Sequence, residues 1–223
     1  MIAKFQRWVW LGSAALALIA GTINTVGFLS FQHQGVTHLT GSTTLLGIAV
    51  ATGHVADAWH LGAVAGAFMI GCILSGALIR DSTLKLGRRY GVALALESIL
   101  LFCAVPLLER TSNLGAYAAS CACGLQNGMA STYSGAVLRT THVSGAFTDL
   151  GIFIGHALRG LPSDTLRMRL CAMLIGAFFL GSGLGALGYA HFGYSTLYFP
   201  AAAVGAVGLA YGAYRHRQHS KAA

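Results

Sequence analysis

The sequence contains few charged residues. Only 9% of its 223 residues are Asp, Glu, Lys or Arg, and only 6 of them are acidic. Proline, which interrupts helices, occurs 3 times. A soluble domain carries about 25% charged residues. The composition therefore excludes a soluble fold, and the mean hydropathy of +0.66 indicates an all-α integral membrane protein.

What the sequence does contain is apolar runs long enough to cross a bilayer as helices, which takes about 20 residues. These runs fill nearly the whole chain, so we predict a single membrane domain over residues 1–223. The first run has the composition of a secretory signal. Its Gly21 and Asn24 recur as Gly124 and Asn127, so we expect it to remain as the first crossing. The six runs are 8–30, 61–79, 91–108, 113–134, 168–190 and 195–214.

A polar motif occurs twice among these runs. The stretches "THLTGSTTLLGIA" at 37–49 and "THVSGAFTDLGIF" at 141–153 share Thr, His, Gly, Thr, Leu, Gly and Ile at matching positions. A second pair, "GAFMIG" at 66–71 and "GAFFLG" at 176–181, follows each motif. The sequence therefore predicts two repeats, at about 8–108 and about 113–215.

The distribution of basic residues predicts how the polar segments 37–52 and 141–158 meet the membrane. A helix of segment 37–52 is roughly 24 Å long, shorter than the roughly 30 Å hydrocarbon core. If both segments return to the side they entered, 13 of the 14 Lys and Arg residues are cytoplasmic and only Arg110 is outside, as the positive-inside rule favours. We therefore predict six transmembrane helices plus two re-entrant or broken half-helices, with both termini cytoplasmic. Three crossings per half make the two repeats inverted.

The stretches "AGTINTVGFLSFQHQGVTHLTGSTTLLGIA" and "GLQNGMASTYSGAVLRTTHVSGAFTDLGI" resemble the YoaK-like family of small bacterial inner-membrane proteins, a family named as a domain of unknown function. The resemblance covers essentially the full chain and implies a multi-pass protein of the bacterial inner (plasma) membrane. It implies no activity. The family usually carries an aspartate where this chain has Asn24 and an asparagine where it has Ser42. These departures count against proton coupling through an acid at the first site.

The polar residues of the two motifs form the candidate substrate-binding site. On a helix, their spacings of three and four place hydroxyls and glycines along one face. We expect Thr37 and Thr141 to cap short helices whose positive N-terminal ends favour an anionic or hydrogen-bond-accepting solute. If these ends meet near the centre, Gly41 and Gly145 approach each other or a shared neighbour. The candidates are Asn24, Thr37, His38, Thr40, Gly41, Thr44, Gln126, Asn127, Thr141, His142, Ser144, Gly145 and Thr148.

Each of these residues also has a structural interpretation. Small residues allow close helix packing, amides bond to neighbouring backbone, and the two histidines either brace the turns, contact a solute or relay protons. Two imidazoles without a matching carboxylate or thiolate are an incomplete metal site, so we predict no metal and no cofactor. Glu97 and Asp149 are candidate coupling residues, since acids within a membrane are costly. The alternative for Glu97 is snorkelling or pairing with Arg88 or Arg89.

An inverted repeat favours a small-solute transporter or channel, because it gives both membrane faces equivalent environments. The sequence has no nucleophile elbow, phosphate loop or zinc signature, so we predict that the protein is not an enzyme. The alternatives are a non-transporting membrane partner protein and, with less support, a membrane-embedded enzyme. The predicted partners are the lipid bilayer and a small neutral or anionic solute. Nucleic acid is excluded, because the basic residues mark the ends of the apolar runs.

Overall fold

The computed structural model of the chain describes residues 7–30, 33, 35–79, 89–134 and 139–220. Every regular element in these ranges is a helix. Residues 80–88, on which much of the predicted topology depends, lie outside these ranges, as do parts of the segments that lead into the two motifs. In chain order the helices are α1 (Arg7–Leu29), α2 (Leu39–Ala51), α3 (Val55–Leu78), α4 (Arg89–Glu109), α5 (Asn113–Ser134), α6 (Val143–Leu158), α7 (Thr165–Phe192), a 3-10 helix (Gly193–Leu197) and α8 (Tyr198–Ser220).

Four stretches of the described residues are long and apolar enough to cross a membrane: Val9–Leu29, Val55–Leu78, Arg89–Glu109 and Thr165–Ala213. The last contains both α7 and most of α8. The helix α5 is not among them, because glycines, serines and amides make it less apolar than α1, α3, α4 and α7. It packs against both α3 and α4. The chain is thus a multi-helical apolar protein, and its helices indicate a membrane location.

Helices α1 and α7 cross at two glycines. A Cβ atom added to Gly21 would collide with the carbonyl oxygen of Phe178, and one added to Gly181 would collide with that of Leu18. Glycine is required at both positions because the two backbones are in contact. Thr22 adds a hydrogen bond, donating its hydroxyl to the carbonyl oxygen of Gly181 at 3.0 Å.

Helices α3 and α5 cross in the same way. A Cβ atom added to Gly124 would collide with the carbonyl oxygen of Phe68, and one added to Gly71 with that of Cys121. In this crossing the Cys72 thiol donates to the Gly124 carbonyl at 3.2 Å. The α1–α7 crossing has the corresponding contact, between the Ser182 hydroxyl and the Gly21 carbonyl at 3.5 Å. Gly21 and Gly124 are the two glycines that the sequence analysis assigned to equivalent positions of the predicted repeats.

The short helices α2 and α6 lie on the periphery of the bundle. α2 packs against α3, and α6 packs against α7. Each precedes its neighbouring long helix in the chain, and a positive-φ glycine lies in the turn between the two, Gly53 at 74° and Gly160 at 68°. Within the described residues α2 and α6 make no contact with each other. The prediction that Gly41 and Gly145 approach each other or share a neighbour is therefore wrong.

The apolar side chains divide between the core and the outer surface. The core runs along α1, α4 and α5, where Ala17, Leu101 and Leu125 are fully buried. Large apolar residues also cover the outside, among them Trp59 at 77% and Phe179 at 73% exposure. Contiguous exposed apolar surface of this kind is unusual for a soluble monomer and fits contact with lipid.

Candidate solute-binding site

The segment before α2 returns to α1 and is held there by an amide. The side-chain oxygen of Asn24 accepts two hydrogen bonds from Thr37, from the backbone N–H at 3.1 Å and from the hydroxyl at 2.8 Å. Both residues are buried. The Ser120 hydroxyl of α5 lies 3.1 Å from the carbonyl oxygen of Val36 and 2.9 Å from that of Val64 in α3. The turn into α2 is thus connected directly to α1 and α5, and through Ser120 to α3.

The segment before α6 is held by a different amide. Gln126 is fully buried, and its side-chain NH₂ donates to the Thr140 hydroxyl at 3.2 Å and to the Leu16 carbonyl at 2.8 Å. The sequence matched Asn24 with Asn127 and Thr37 with Thr141. The structure instead uses Gln126 and Thr140, each one residue earlier. The Asn127 carbonyl oxygen is buried without a hydrogen-bond partner among the described residues.

The two histidines, and not the two threonines, occupy the N-cap positions of the short helices. His38 and His142 have nearly the same backbone conformation, with φ, ψ of −91°, 62° and −92°, 60°. Neither short helix has a side-chain cap hydrogen bond. The prediction that Thr37 caps α2 was wrong, because its hydroxyl donates to Asn24. On the second side, Thr141 likewise precedes the N-cap residue.

Each histidine ring lies over the glycine three residues later. A Cβ atom added to Gly41 would collide with the His38 ring, and one added to Gly145 would collide with the His142 ring. Both histidines are exposed. The two Thr-His-x-Thr/Ser-Gly segments therefore form the same local structure, and the glycines serve to accommodate the rings.

The hydroxyl stripes of the short helices point away from the core. Thr40, Thr44, Ser144 and Thr148 are all exposed. The Thr44 hydroxyl donates to the Thr40 carbonyl at 3.1 Å, and that of Thr148 to the Ser144 carbonyl at 3.0 Å. Bonds of this i to i−4 type are common for hydroxyls within helices. The stripes do not face each other, and among the described helices each lies beside a single neighbour.

A polar cleft of about 310 Å³ separates α6 from α7. Its lining includes His142 and Gly145 at the start of α6, Asp149 one turn later, Arg139 before α6 and Arg167 in the first turn of α7. Leu170, Cys171 and Leu174 form the apolar wall. Two guanidinium groups, one carboxylate and one imidazole thus share a single cavity.

The cleft has an excess of positive groups. The first turn of α6 adds backbone N–H groups that no side chain caps, and such groups favour anions. Arg167 also lies 3.5 Å from the Asp164 carboxylate, which itself accepts from two N–H groups at the start of α7. At the position of Asp149 the first repeat has Leu45, and the groove between α2 and α3 is lined by apolar residues.

In the sequence analysis, Arg139 and Arg167 served only to predict the topology and were not candidates for a site. Arg139 lies three residues before the N-cap residue of α6, and Arg167 lies in the first turn of α7. These positions indicate an anion site only once the two helices are known to be neighbours. Asp149 and the motif residues His142 and Gly145 were candidates, and the structure brings them together. Thr40 and Thr44 of the first repeat lie elsewhere, on α2.

Glu97 is fully buried in α4, and neither carboxylate oxygen has a hydrogen-bond partner among the described residues. It does not snorkel to the surface, and Arg89 donates instead to the Leu78 carbonyl at 3.3 Å. The pairing of Glu97 with Arg89 was therefore wrong, while Arg88 lies outside the described residues. Glu97 does not line the cleft between α6 and α7.

The described part of the chain contains no group of three His, Cys, Asp or Glu side chains placed to hold a metal ion. It also contains a half-buried polar pair that the sequence analysis did not identify. His60 Nδ1 of α3 lies 3.1 Å from the Tyr117 hydroxyl of α5. A lone histidine in an apolar run gave no signal for that contact.

Comparison with curated proteins and with solved structures gave no match for the chain. Comparison with protein families gave a match that covers most of the chain. The match confirms that the chain belongs to an uncharacterised family, as the motifs indicated, but it does not carry the YoaK-like name. The chain belongs to the family described as "Protein of unknown function (DUF1275)", which matches residues 12–210.

Proposed function

We propose that the chain crosses the membrane six times as two inverted repeats, with α2 and α6 as re-entrant half-helices. The two glycine crossings support the repeat, because Gly21 and Gly181 correspond to Gly124 and Gly71, and each crossing joins one repeat to the other. An odd number of crossings per repeat makes such halves inverted.

Two cavities support the re-entrant path of the short helices. A small cavity is lined by Gly27 near the end of α1 and by His60 near the start of α3, so the chain between them, including α2, starts and finishes at one end of the bundle. The α6–α7 cleft has Arg139 after α5 and Arg167 at the start of α7. The same argument therefore applies to α6.

Combined with the positive-inside rule, this path gives the orientation. The start of α1 and the ends of α5 and α8 are cytoplasmic, and both termini of the chain lie in the cytoplasm of a bacterial cell. The α6–α7 cleft, which contains Arg139 and Arg167, then opens towards the cytoplasm.

Within this arrangement, the protein is a transporter or channel for a small anionic solute. The observation that carries this function is the cleft between α6 and α7, where two guanidinium groups and the uncapped start of a re-entrant helix surround one cavity. Half-helix ends that point at a solute are a recurrent feature of transporters. Guanidinium groups bind carboxylate and phosphate oxygens strongly. The single carboxylate, Asp149, is a candidate for coupling or for orienting the solute.

The test is flux of small anions into vesicles that contain the purified protein, together with thermal stabilisation of the protein by the same anions. Chloride, acetate, phosphate and a dicarboxylate cover the classes of charge and size. We expect at least one of them to be transported and to stabilise the protein. A protein that binds anions but carries none across the vesicle membrane would favour the non-transporting alternative.

Charge-removal variants locate the site. A hydrogen bond to a charged group contributes about 1.5–3 kcal/mol, so Arg139→Gln and Arg167→Gln should each weaken anion affinity roughly tenfold to a hundredfold. Arg159→Gln is the matched control, because Arg159 follows α6 and does not line the cleft. Equal losses in all three variants would indicate a general charge effect and refute this site.

A further inference from the structure

A second large cavity, called the crevice below, lies between α1 and α8. Its volume is about 380 Å³, within the range of roughly 300–1,000 Å³ that is typical of small-molecule pockets. Apart from Ser13 and three tyrosines, its lining is apolar, with Leu16, Ile19 and Val204 among its walls. The cavity contains none of the residues of the α6–α7 cleft.

The three tyrosines mark one end of this crevice. Tyr90 is at the start of α4, Tyr133 is at the end of α5 and Tyr211 is on the second half of α8. The rings of Tyr90 and Tyr133 meet edge to face, with centroids 6.1 Å apart. Tyrosine is enriched where an apolar region meets a polar one. In the orientation given above, this end is cytoplasmic.

The crevice exists because the α1–α8 interface is less tightly packed than the α4–α5 interface, which corresponds to it in the proposed repeats. Helix α4 packs along α5, whereas α8 touches α1 at only a few positions. In the α4–α5 interface, a Cβ atom added to Gly115 would lie 2.6 Å from Leu108 and 2.9 Å from the Ala104 carbonyl, so no space is left. A Cβ atom added to Gly12 on α1 would meet nothing within 4 Å.

The rim of the crevice faces the apolar exterior of the bundle. Leu11 beside Gly12 is 72% exposed, and Val207 and Leu209 on α8 are also exposed. A chain that enters between α1 and α8 therefore passes directly from an apolar surface into an apolar cavity. None of the described residues that line the cavity carries a charge.

We propose that the crevice binds one hydrocarbon chain of a membrane phospholipid, with the head group at the tyrosine end. The apolar walls match the chain, the exposed apolar rim gives access from the bilayer, and the tyrosine hydroxyls lie where the polar part of the lipid begins. The proposal does not depend on anion transport, because the two cavities share no residue.

Native mass spectrometry of the detergent-purified protein tests the proposal. The wild-type protein should retain one phospholipid. Gly12→Leu places a side chain into the open space of the crevice and should lose that lipid without loss of thermal stability. Ala203→Leu fills the cavity from α8 and should do the same. Gly76→Leu is the matched control, since a Cβ atom there also meets open space and Gly76 lines none of the described cavities.

Photo-crosslinking locates the chain. In vesicles of phosphatidylethanolamine and phosphatidylglycerol, a phosphatidylethanolamine with a diazirine on one acyl chain should label Leu16 and Ile19, which are largely shielded from the outside. Gly12→Leu should abolish this label and leave that of exposed Leu209 unchanged. A wild-type protein that retains no lipid, an adduct pattern confined to exposed residues, or full retention in Gly12→Leu would each overturn the proposal.

Discussion

The bond between Asn24 and Thr37 gives a prediction with a definite magnitude. Asn24→Leu keeps the approximate size of the side chain but removes the oxygen that accepts from the Thr37 N–H at 3.1 Å and from its hydroxyl at 2.8 Å. Two buried donors then lose their acceptor, at about 1–3 kcal/mol each. The expected loss of unfolding free energy is therefore about 2–6 kcal/mol.

Thr37→Val separates the two bonds. It removes the hydroxyl and leaves the backbone N–H donating to Asn24. A single hydrogen bond contributes about 0.5–1.5 kcal/mol net, and bonds between membrane helices average about 0.6 kcal/mol. Thr37→Val should thus cost much less than Asn24→Leu, and Asn24→Asp, which keeps an acceptor, should preserve the turn.

Reversible unfolding in mixed detergent and denaturant measures these free energies. Hydrogen exchange at the Thr37 amide adds a local measurement, since its protection depends on the acceptor. In Asn24→Leu this amide should exchange faster, while amides in the middle of α5 should be unaffected at low denaturant.

Asn127→Leu is the internal control, because the sequence matches Asn127 with Asn24 while the structure gives its carbonyl oxygen no partner. Replacing a buried group that has no partner should be neutral or stabilising. If Asn24→Leu and Asn127→Leu destabilise the protein equally, the amide of Asn24 does not act through Thr37 and this account of the turn is wrong.

Three further predictions concern the repeats. Gly21→Ala and Gly124→Ala should each prevent the close approach of two backbones and lower stability by similar amounts, measured by thermal unfolding; a large effect of only one would contradict the equivalence of the crossings. Thr44→Val and Thr148→Val should leave thermal stability and anion affinity unchanged if the α6–α7 cleft is the site, whereas a tenfold loss of affinity would place the solute along the hydroxyl stripes. A cysteine at Ser82 should resist impermeant thiol reagents in intact cells, and labelling from outside would rule out six crossings.

Much of the architecture follows from patterns in the sequence. The matched glycines Gly21 and Gly124 were visible in the sequence, and in the structure each of them lies at a helix crossing. The paired histidines have the same conformation because the residues around them are the same. Helix ends were predicted less accurately, since the predicted third helix begins at 61 and α3 begins at Val55. The polar residues at its start, such as Asp57, hide the first turns from a hydropathy reading.

Partners across the bundle could not be predicted, because a helix turns about 100° per residue. A shift of one position therefore exchanges the residue that faces a neighbour. Sequence identity favoured Asn127 and Thr141, yet Gln126 and Thr140 have the orientation that allows contact. The same limit applies to Arg139 and Arg167, which are 28 residues apart and line one cleft only because α6 packs against α7.

The position of the proposed solute site follows from how the short helices pack. A site on the symmetry axis requires α2 and α6 to meet, but each packs against the long helix that follows it. Two separate sites would then be expected, and the sequence differs between them, since Asp149 stands where the first repeat has Leu45. The cleft beside α6 is polar, and the groove beside α2 is apolar. In the proposed arrangement of two repeats, the scaffold is symmetric and the charged residues of the second repeat limit the proposed solute site to that half.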